Sequence, residues 1–178
     1  MMTEMCNQGD TLYVSGSPVH YGSLTVSKRL NIIGPGYFLE ENPNTQVGFL
    51  PAKVTSPTFK PGAEESVISG MMIDQGMYVQ CDGVVIKNNY VHTQGNVNWG
   101  SNKDFIIKAN NVIVSQNFIT SSSDYCWPLY LDGYNIVVSN NYIYRLGTAT
   151  SGSSIIANNV FKSNRHPAKL KSYSRLLQ

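Results

Sequence analysis

The side chains of this sequence that could do chemistry are few, and their spacing decides what kind. Carboxylates occur at Asp74, Asp82, Asp104, Asp124 and Asp132, cations at Lys108 and Arg145, and an imidazole at His92. Hydrolysis of a glycosidic bond requires two carboxyl groups about 5 Å or about 6.5–9.5 Å apart. Elimination requires a base and, where calcium assists, several oxygens converging on the ion. Asp82 and Asp132 each precede Gly, the signature of a tight turn, so their first duty is to the backbone. Lys108 and Arg145 fit solvated surface positions, and His92 opens a loop with no identified Ser, Cys or carboxylate partner. Cys6, Cys81 and Cys126 lack the paired spacing of a zinc site and read as buried thiols. No catalytic set, metal site or cofactor site emerges.

Binding chemistry is better supplied. Trp99, Tyr125, Trp127, Tyr130 and Tyr144 offer flat apolar faces to a sugar ring, with Asn and Ser groups nearby to hydrogen-bond its hydroxyls. Trp127 falls in an inward register and belongs to the core. The candidate ligand-binding residues are therefore Gln80, Lys108, Tyr130, Asp104, Asp124, Trp99 and Tyr125.

The elements that must position them are set by an internal repeat. Val84–Val91, Val112–Ile119, Ile136–Ile143 and the shorter Ile155–Phe161 each run from branched apolar residues into Asn and resume with an apolar residue. The recurring residues are Asn89, Asn117, Asn141 and Asn159, spaced 28, 24 and 18 apart, so each copy is one coil of variable circumference. Asn tolerates the left-handed backbone that a corner between two strands demands. Stacked coils place these amides above one another, where each can donate to the carbonyl of the next.

A second strand per coil spans 77–81, 105–109 and 127–131, followed by Asp82, Asn110 and Asp132 as turn starters. Alternation turns Val79, Ile107, Leu129, Cys81, Ala109 and Leu131 inward, and Tyr78, Gln80, Ile106, Lys108, Pro128 and Tyr130 outward. In this register Asp82 and Asp132 lie two coils apart, about 10 Å. Upstream, Val67–Ile73 fits the template with Gly70 and Met71 in place of the Asn pair. Leu30–Pro35 forms an earlier coil, with Thr11–Val14 and Leu24–Val26 as its first strands. About six coils result, an all-β right-handed parallel β-helix over 1–161. Residues 36–65, with four prolines and no period, read as a long inserted loop. The basic 162–178 segment is either a solvated tail or a short capping helix from Pro167 to Leu177.

The stretch Gly9–Val14 followed by Leu30–Tyr37 and the Asn-Asn coils resembles the right-handed β-helix repeat proteins of the pectate-lyase-like superfamily, over roughly Gly9 to Phe161. That resemblance implies a solenoid whose members include polysaccharide lyases, glycoside hydrolases, phage tailspikes and surface proteins, so it bears on fold rather than activity. Lyases of that kind carry carboxylates and a basic residue on the outer face of the 77–81, 105–109 and 127–131 strands. Here the outward positions hold no carboxylate. The resemblance also implies a capping helix before the first coil, where only eight residues precede Gly9. Uncapped coil ends expose strand edges, which suits a homo-oligomer or a fragment of a longer protein.

Composition narrows the partners. The 178 residues are 42% hydrophobic and 13% charged with net charge +2, a balance that supports one packed domain and no nucleic-acid footprint. No apolar run reaches the roughly 20 residues of a membrane span, and Met1–Gln8 carries no signal-peptide pattern. The resemblance implies a secreted or surface origin, against which the three unpaired cysteines stand. The residues favour a non-catalytic polysaccharide-binding or surface-recognition module. The alternatives are a polysaccharide-degrading enzyme and a self-associating structural fragment.

Overall fold

A computed structural model describes residues 3–41, 48–94, 105–122, 128–144 and 153–162, and the backbone of 147–148 and 174–177. The chain is all-β, built on two long parallel sheets. The smaller has eight strands in the order Thr11–Tyr13, Asn31–Ile33, Val67–Ser69, Val85–Lys87, Ile113–Ser115, Val137–Ser139, Ser154–Ala157, Ser174–Leu177. The larger has eleven and curls into a half-barrel. Its hub is Ala52–Phe59, with which Ser23–Val26 also pairs. From one half of that strand run Met77–Val79, Phe105–Ile107, Leu129–Leu131 and Gly147–Thr148. From the other half run Met71–Asp74, Tyr90–Thr93, Phe118–Ser121, Tyr142–Ile143 and Val160–Phe161.

Each pass of the chain visits the smaller sheet, one run of the larger and then the other, so residues of equal rank in the repeat stack in columns. Ile32, Ile68, Ile86, Val114, Val138 and Ile156 form one buried column. Ile73, Val91, Ile119 and Ile143 form a second, and Val79, Ile107 and Leu131 a third. Together they make one continuous apolar core. Branched side chains suit these positions because they pack well on a pleated surface.

The corner after the smaller sheet divides its work between two residues, where the sequence suggested one. The left-handed backbone belongs to Asn88, Gln116, Asn140 and Asn158, with φ of 53, 57, 56 and 53°, one place before the recurring Asn. Asn89, Asn117, Asn141 and Asn159 instead point inward and form the amide row. Asn89 Nδ2 donates to Asn117 Oδ1 (3.1 Å), Asn117 Nδ2 to Asn141 Oδ1 (3.0 Å) and Asn141 Nδ2 to Asn159 Oδ1 (3.0 Å). Each backbone N–H of the first three also donates to the next Oδ1. The row begins at Met71, whose N–H donates to Asn89 Oδ1 (3.0 Å), so Gly70 and Met71 do occupy the corner as the template requires. Gly70 has φ 69°, and an added Cβ would lie 2.4 Å from the Gly34 carbonyl oxygen.

Several expectations need correction. The 36–65 segment is not one loop: Ala52–Phe59 is the hub strand, with Ala52, Val54 and Phe59 buried. Its prolines hid it, and Pro57 is tolerated because Ser56, at φ 46°, bends the strand where it changes partners. Thr11–Tyr13 pairs with Asn31–Ile33 in the same sheet and so belongs to a separate pass. Ser174–Leu177 is a strand on Ser154–Ala157, which excludes a helix there. These two additions raise the stack from six to eight strands in the smaller sheet. At the first end, Thr3 is buried and its hydroxyl donates to Thr25 O (2.8 Å), and Lys28 Nζ donates to Glu4 O (3.3 Å) and Cys6 O (2.7 Å). Thr3 and Cys6 thus pack against the first strands, while Glu4, Met5 and residues 7–9 are exposed.

Candidate functional site

The expected binding face is the outer side of the run Ala52–Phe59, Met77–Val79, Phe105–Ile107, Leu129–Leu131. Pairing sets Phe105 against both Met77 and Leu129, so Leu131, not Leu129, is level with Val79 and Ile107. The sequence alignment was therefore two residues out in this pass, although alternation left its inward and outward assignments intact. Asp132 moves accordingly. It is not level with Asp82 and Asn110 but follows Leu131 as Lys108 follows Ile107, Gln80 follows Val79 and Lys60 follows Phe59. Lys60, Gln80, Lys108 and Asp132 form one outward row at intervals of about 4.8 Å. A carboxylate therefore does stand on this face, next to the lysine.

Beside this row runs a second, Thr58, Tyr78, Ile106, Tyr130. The tyrosines are half-buried, whereas Ile106 at 7% exposure and Pro128 are buried rather than open, contrary to the outward reading. Asp82 serves the turn: its Oδ1 accepts from Asn110 N–H (2.9 Å) and its Oδ2 from Asn110 Nδ2 (3.2 Å). Both oxygens thus brace the turn that its Asp-Gly pattern implied. Cys81 is core, and burial, reinforced by the nearby carboxylates of Glu64 and Asp82, pushes its thiol up to about 11. It is therefore no nucleophile near neutrality. Of the remaining candidates, Trp99, Asp104, Asp124 and Tyr125 lie outside the described residues, as do Cys126, Trp127 and Arg145.

The sequence reading missed the other outer face. There Met72, Tyr90, Phe118, Tyr142 and Val160 share a column. Phe118 stacks on Tyr142 (centroids 4.5 Å, 9°) and Tyr90 on Phe118 (5.7 Å, 17°), and Phe38 meets Tyr90 and Phe118 edge-on (5.9 and 5.3 Å). Tyr37 completes the cluster, and its burial raises the phenol's affinity for its proton. Two residues further along each strand lies a polar row, Asp74, His92, Thr120. His92 Nδ1 is 3.0 Å from Thr120 Oγ1, Thr120 Oγ1 is 3.3 Å from the Tyr90 hydroxyl, and His20 Nε2 is 3.4 Å from Asp74 Oδ2. The signal was present: Asp74, His92 and Thr120 each fall four places after a left-handed corner residue.

This face is mortar rather than platform. Rings stacked at 9–17° cover one another's faces and leave mainly edges to solvent. A sugar ring needs an open face. Among the described residues no group of three or more His, Cys, Asp or Glu is placed to hold a metal ion. No family model, curated protein or solved structure matches the chain.

Proposed function

We propose that the chain is a right-handed parallel β-helix of the pectate-lyase-like kind that binds an extended acidic polysaccharide without cleaving it. The alternation of each pass between stacked parallel sheets and the inward amide row support the fold. The observation that carries the function is the outward row Lys60, Gln80, Lys108, Asp132 beside Tyr78 and Tyr130. Stacking sets these groups along a straight line, which suits a linear polymer better than a compact ligand. Two lysines against one aspartate favour a uronate-bearing chain over a neutral one. Hydrolysis is disfavoured because Asp132 is the one carboxylate on this face among the described residues and hydrolysis needs two.

Affinity electrophoresis in gels containing polygalacturonate or a neutral glucan tests this. The protein is retarded by the acidic polymer, Lys108→Glu abolishes the retardation, and the polymer keeps its length. Chain shortening that disappears in Lys108→Ala or Asp132→Asn establishes an enzyme instead, and unretarded migration in every polymer removes the binding role.

A further inference from the structure

The outer face of the smaller sheet takes no part in the sites described above. Strand pairing sets Val67, Val85, Ile113, Val137 and Ile155 level with one another across five consecutive strands. Each precedes a buried core residue, Ile68, Ile86, Val114, Val138 or Ile156, so alternation turns it outward. The result is a straight aliphatic stripe about 19 Å long at the usual strand spacing. It is open to solvent: Ile113 is 40% and Ile155 48% exposed, and Val67, Val85 and Val137 are partly exposed.

Polar rows border the stripe on both sides. Two places further along the strands stand Ser69, Lys87, Ser115 and Ser139. Two places before it, at the turns, stand Asn111, Asn135 and Ser153, joined by bonds from Asn135 Nδ2 to Asn111 Oδ1 (3.2 Å) and from Ser153 Oγ to Asn135 Oδ1 (3.4 Å). Among the described residues of these rows the charges are Lys87 and Glu65, and Glu65 is paired with Arg29 (3.3 Å). A solvated sheet face carries polar side chains at its outward positions. A continuous apolar stripe with a polar rim and little charge instead marks an association surface.

We propose that this face is the contact between two copies of the chain, packed sheet on sheet about a twofold axis that runs along the strands through Ile113. Such an axis keeps strand direction and reverses strand order. It sets Ile113 against itself, Val85 against Val137 and Val67 against Ile155, so the stripe meets itself over its whole length, as an isologous contact requires. It also sets Lys87 against Ser139 and Glu65 against Ser153, so no like charges are opposed. A charged partner would find little on this face to answer it, whereas a second copy brings an equally neutral one. Size sets the strength. Five strands by three rows, with side-chain margins, cover roughly 400–500 Å², about half the roughly 800 Å² that each partner gives to a standard interface. The dimer is therefore weak and concentration-dependent, not permanent. It leaves the row of Lys60, Gln80, Lys108 and Asp132, on the larger sheet, uncovered. On the function proposed above the pair then carries two polymer-binding rows, but the contact itself does not depend on that reading.

Sedimentation equilibrium of the intact protein from about 10 μM to about 1 mM, without polymer, tests the contact. The expected result is reversible dimerisation with a Kd on the order of 100 μM. Ile113→Lys sets two lysines against each other on the axis and weakens the dimer about tenfold or more. Val19→Lys, at a 67% exposed position on the segment that runs along Ala52–Phe59, leaves it unchanged. Circular dichroism matching that of the parent is the folding control for both variants. An equimolar mixture of Ile113→Lys and Ile113→Glu regains the dimer, because opposite charges then meet on the axis. A protein that stays monomeric throughout, or a dimer indifferent to Ile113→Lys, overturns the proposal. No recovery in the mixture places Ile113 off the axis and overturns the twofold arrangement.

Discussion

Replacing Asn117 by Asp changes one NH2 to an oxygen at the centre of the amide row, and the surroundings of that side chain set the consequence. Asn117 is 2% exposed, and its Nδ2 donates to Ile86 O (2.9 Å), Ser115 O (3.0 Å) and Asn141 Oδ1 (3.0 Å). An ionised carboxylate there would face three acceptors in a buried site, so the folded variant keeps the acid protonated. Burial of this kind raises a carboxyl by up to about 3–5 pH units. In the unfolded chain Asp ionises near pH ~3.9. Between that value and its raised folded value, the folded variant holds a proton that the unfolded one has released. Stability therefore falls as pH rises, by about 1.4 kcal/mol per unit, and levels off above the folded value. A shift of about three units costs about 4 kcal/mol by neutral pH, against a typical domain stability of about 5–15 kcal/mol. Urea unfolding followed by circular dichroism at about pH 4.5 and about pH 7.5, variant against parent, reads it directly. Asn135→Asp is the control: Asn135 is exposed, its Nδ2 donates to Asn111 Oδ1 (3.2 Å), and water can replace that bond. A loss in Asn117→Asp that is the same at both pH values, or matched by Asn135→Asp, refutes the directional row.

Three further outcomes rest on the same geometry. Gly70→Ala combines a left-handed backbone with a Cβ 2.4 Å from Gly34 O, and thermal unfolding should show a loss of about 2 kcal/mol or more, where a solvent-facing Gly→Ala change would be near neutral. Cys81, at 4% exposure and with its thiol pushed up to about 11, resists iodoacetamide at about pH 8, while the partly exposed Cys6 is modified; peptide mass mapping of the native and urea-unfolded protein checks this. Phe118→Leu loses ring contacts with Tyr90, Tyr142 and Phe38, each worth about 0.5–1.5 kcal/mol, so urea unfolding should show a cost of roughly 1.5–4.5 kcal/mol; no measurable cost would make the stack incidental.

The repeat itself was legible because its cause is local. Branched apolar residues must alternate inward, a corner must have a residue that accepts positive φ, and a buried amide must find a partner, and each requirement writes a residue type at a fixed rank in every copy. Hence Asn89, Asn117, Asn141 and Asn159, and the inward Val79, Ile107 and Cys81, could be read without coordinates. What a pattern cannot assign is which of two adjacent residues takes which task. Asn suits both the left-handed corner and the amide row, so the type of residue leaves Asn88 and Asn89 interchangeable. The backbone separates them: in the next coil the corner position is held by Gln116, at φ 57°, and the amide row by Asn117.

The sequence by itself determined that the chain is all-β, that its passes stack in parallel, and which columns are core, since these arise from periodicity along the chain. Only the tertiary structure decided the register of Leu129–Leu131, because the connection before it varies in length and a two-residue slip preserves alternation. That slip moved Asp132 from a turn to the side of Lys108. It also decided the hub role of Ala52–Phe59 and the His20–Asp74 contact. These depend on which strand pairs with which across tens of residues, and pairing energy is settled between neighbours in space, not in sequence.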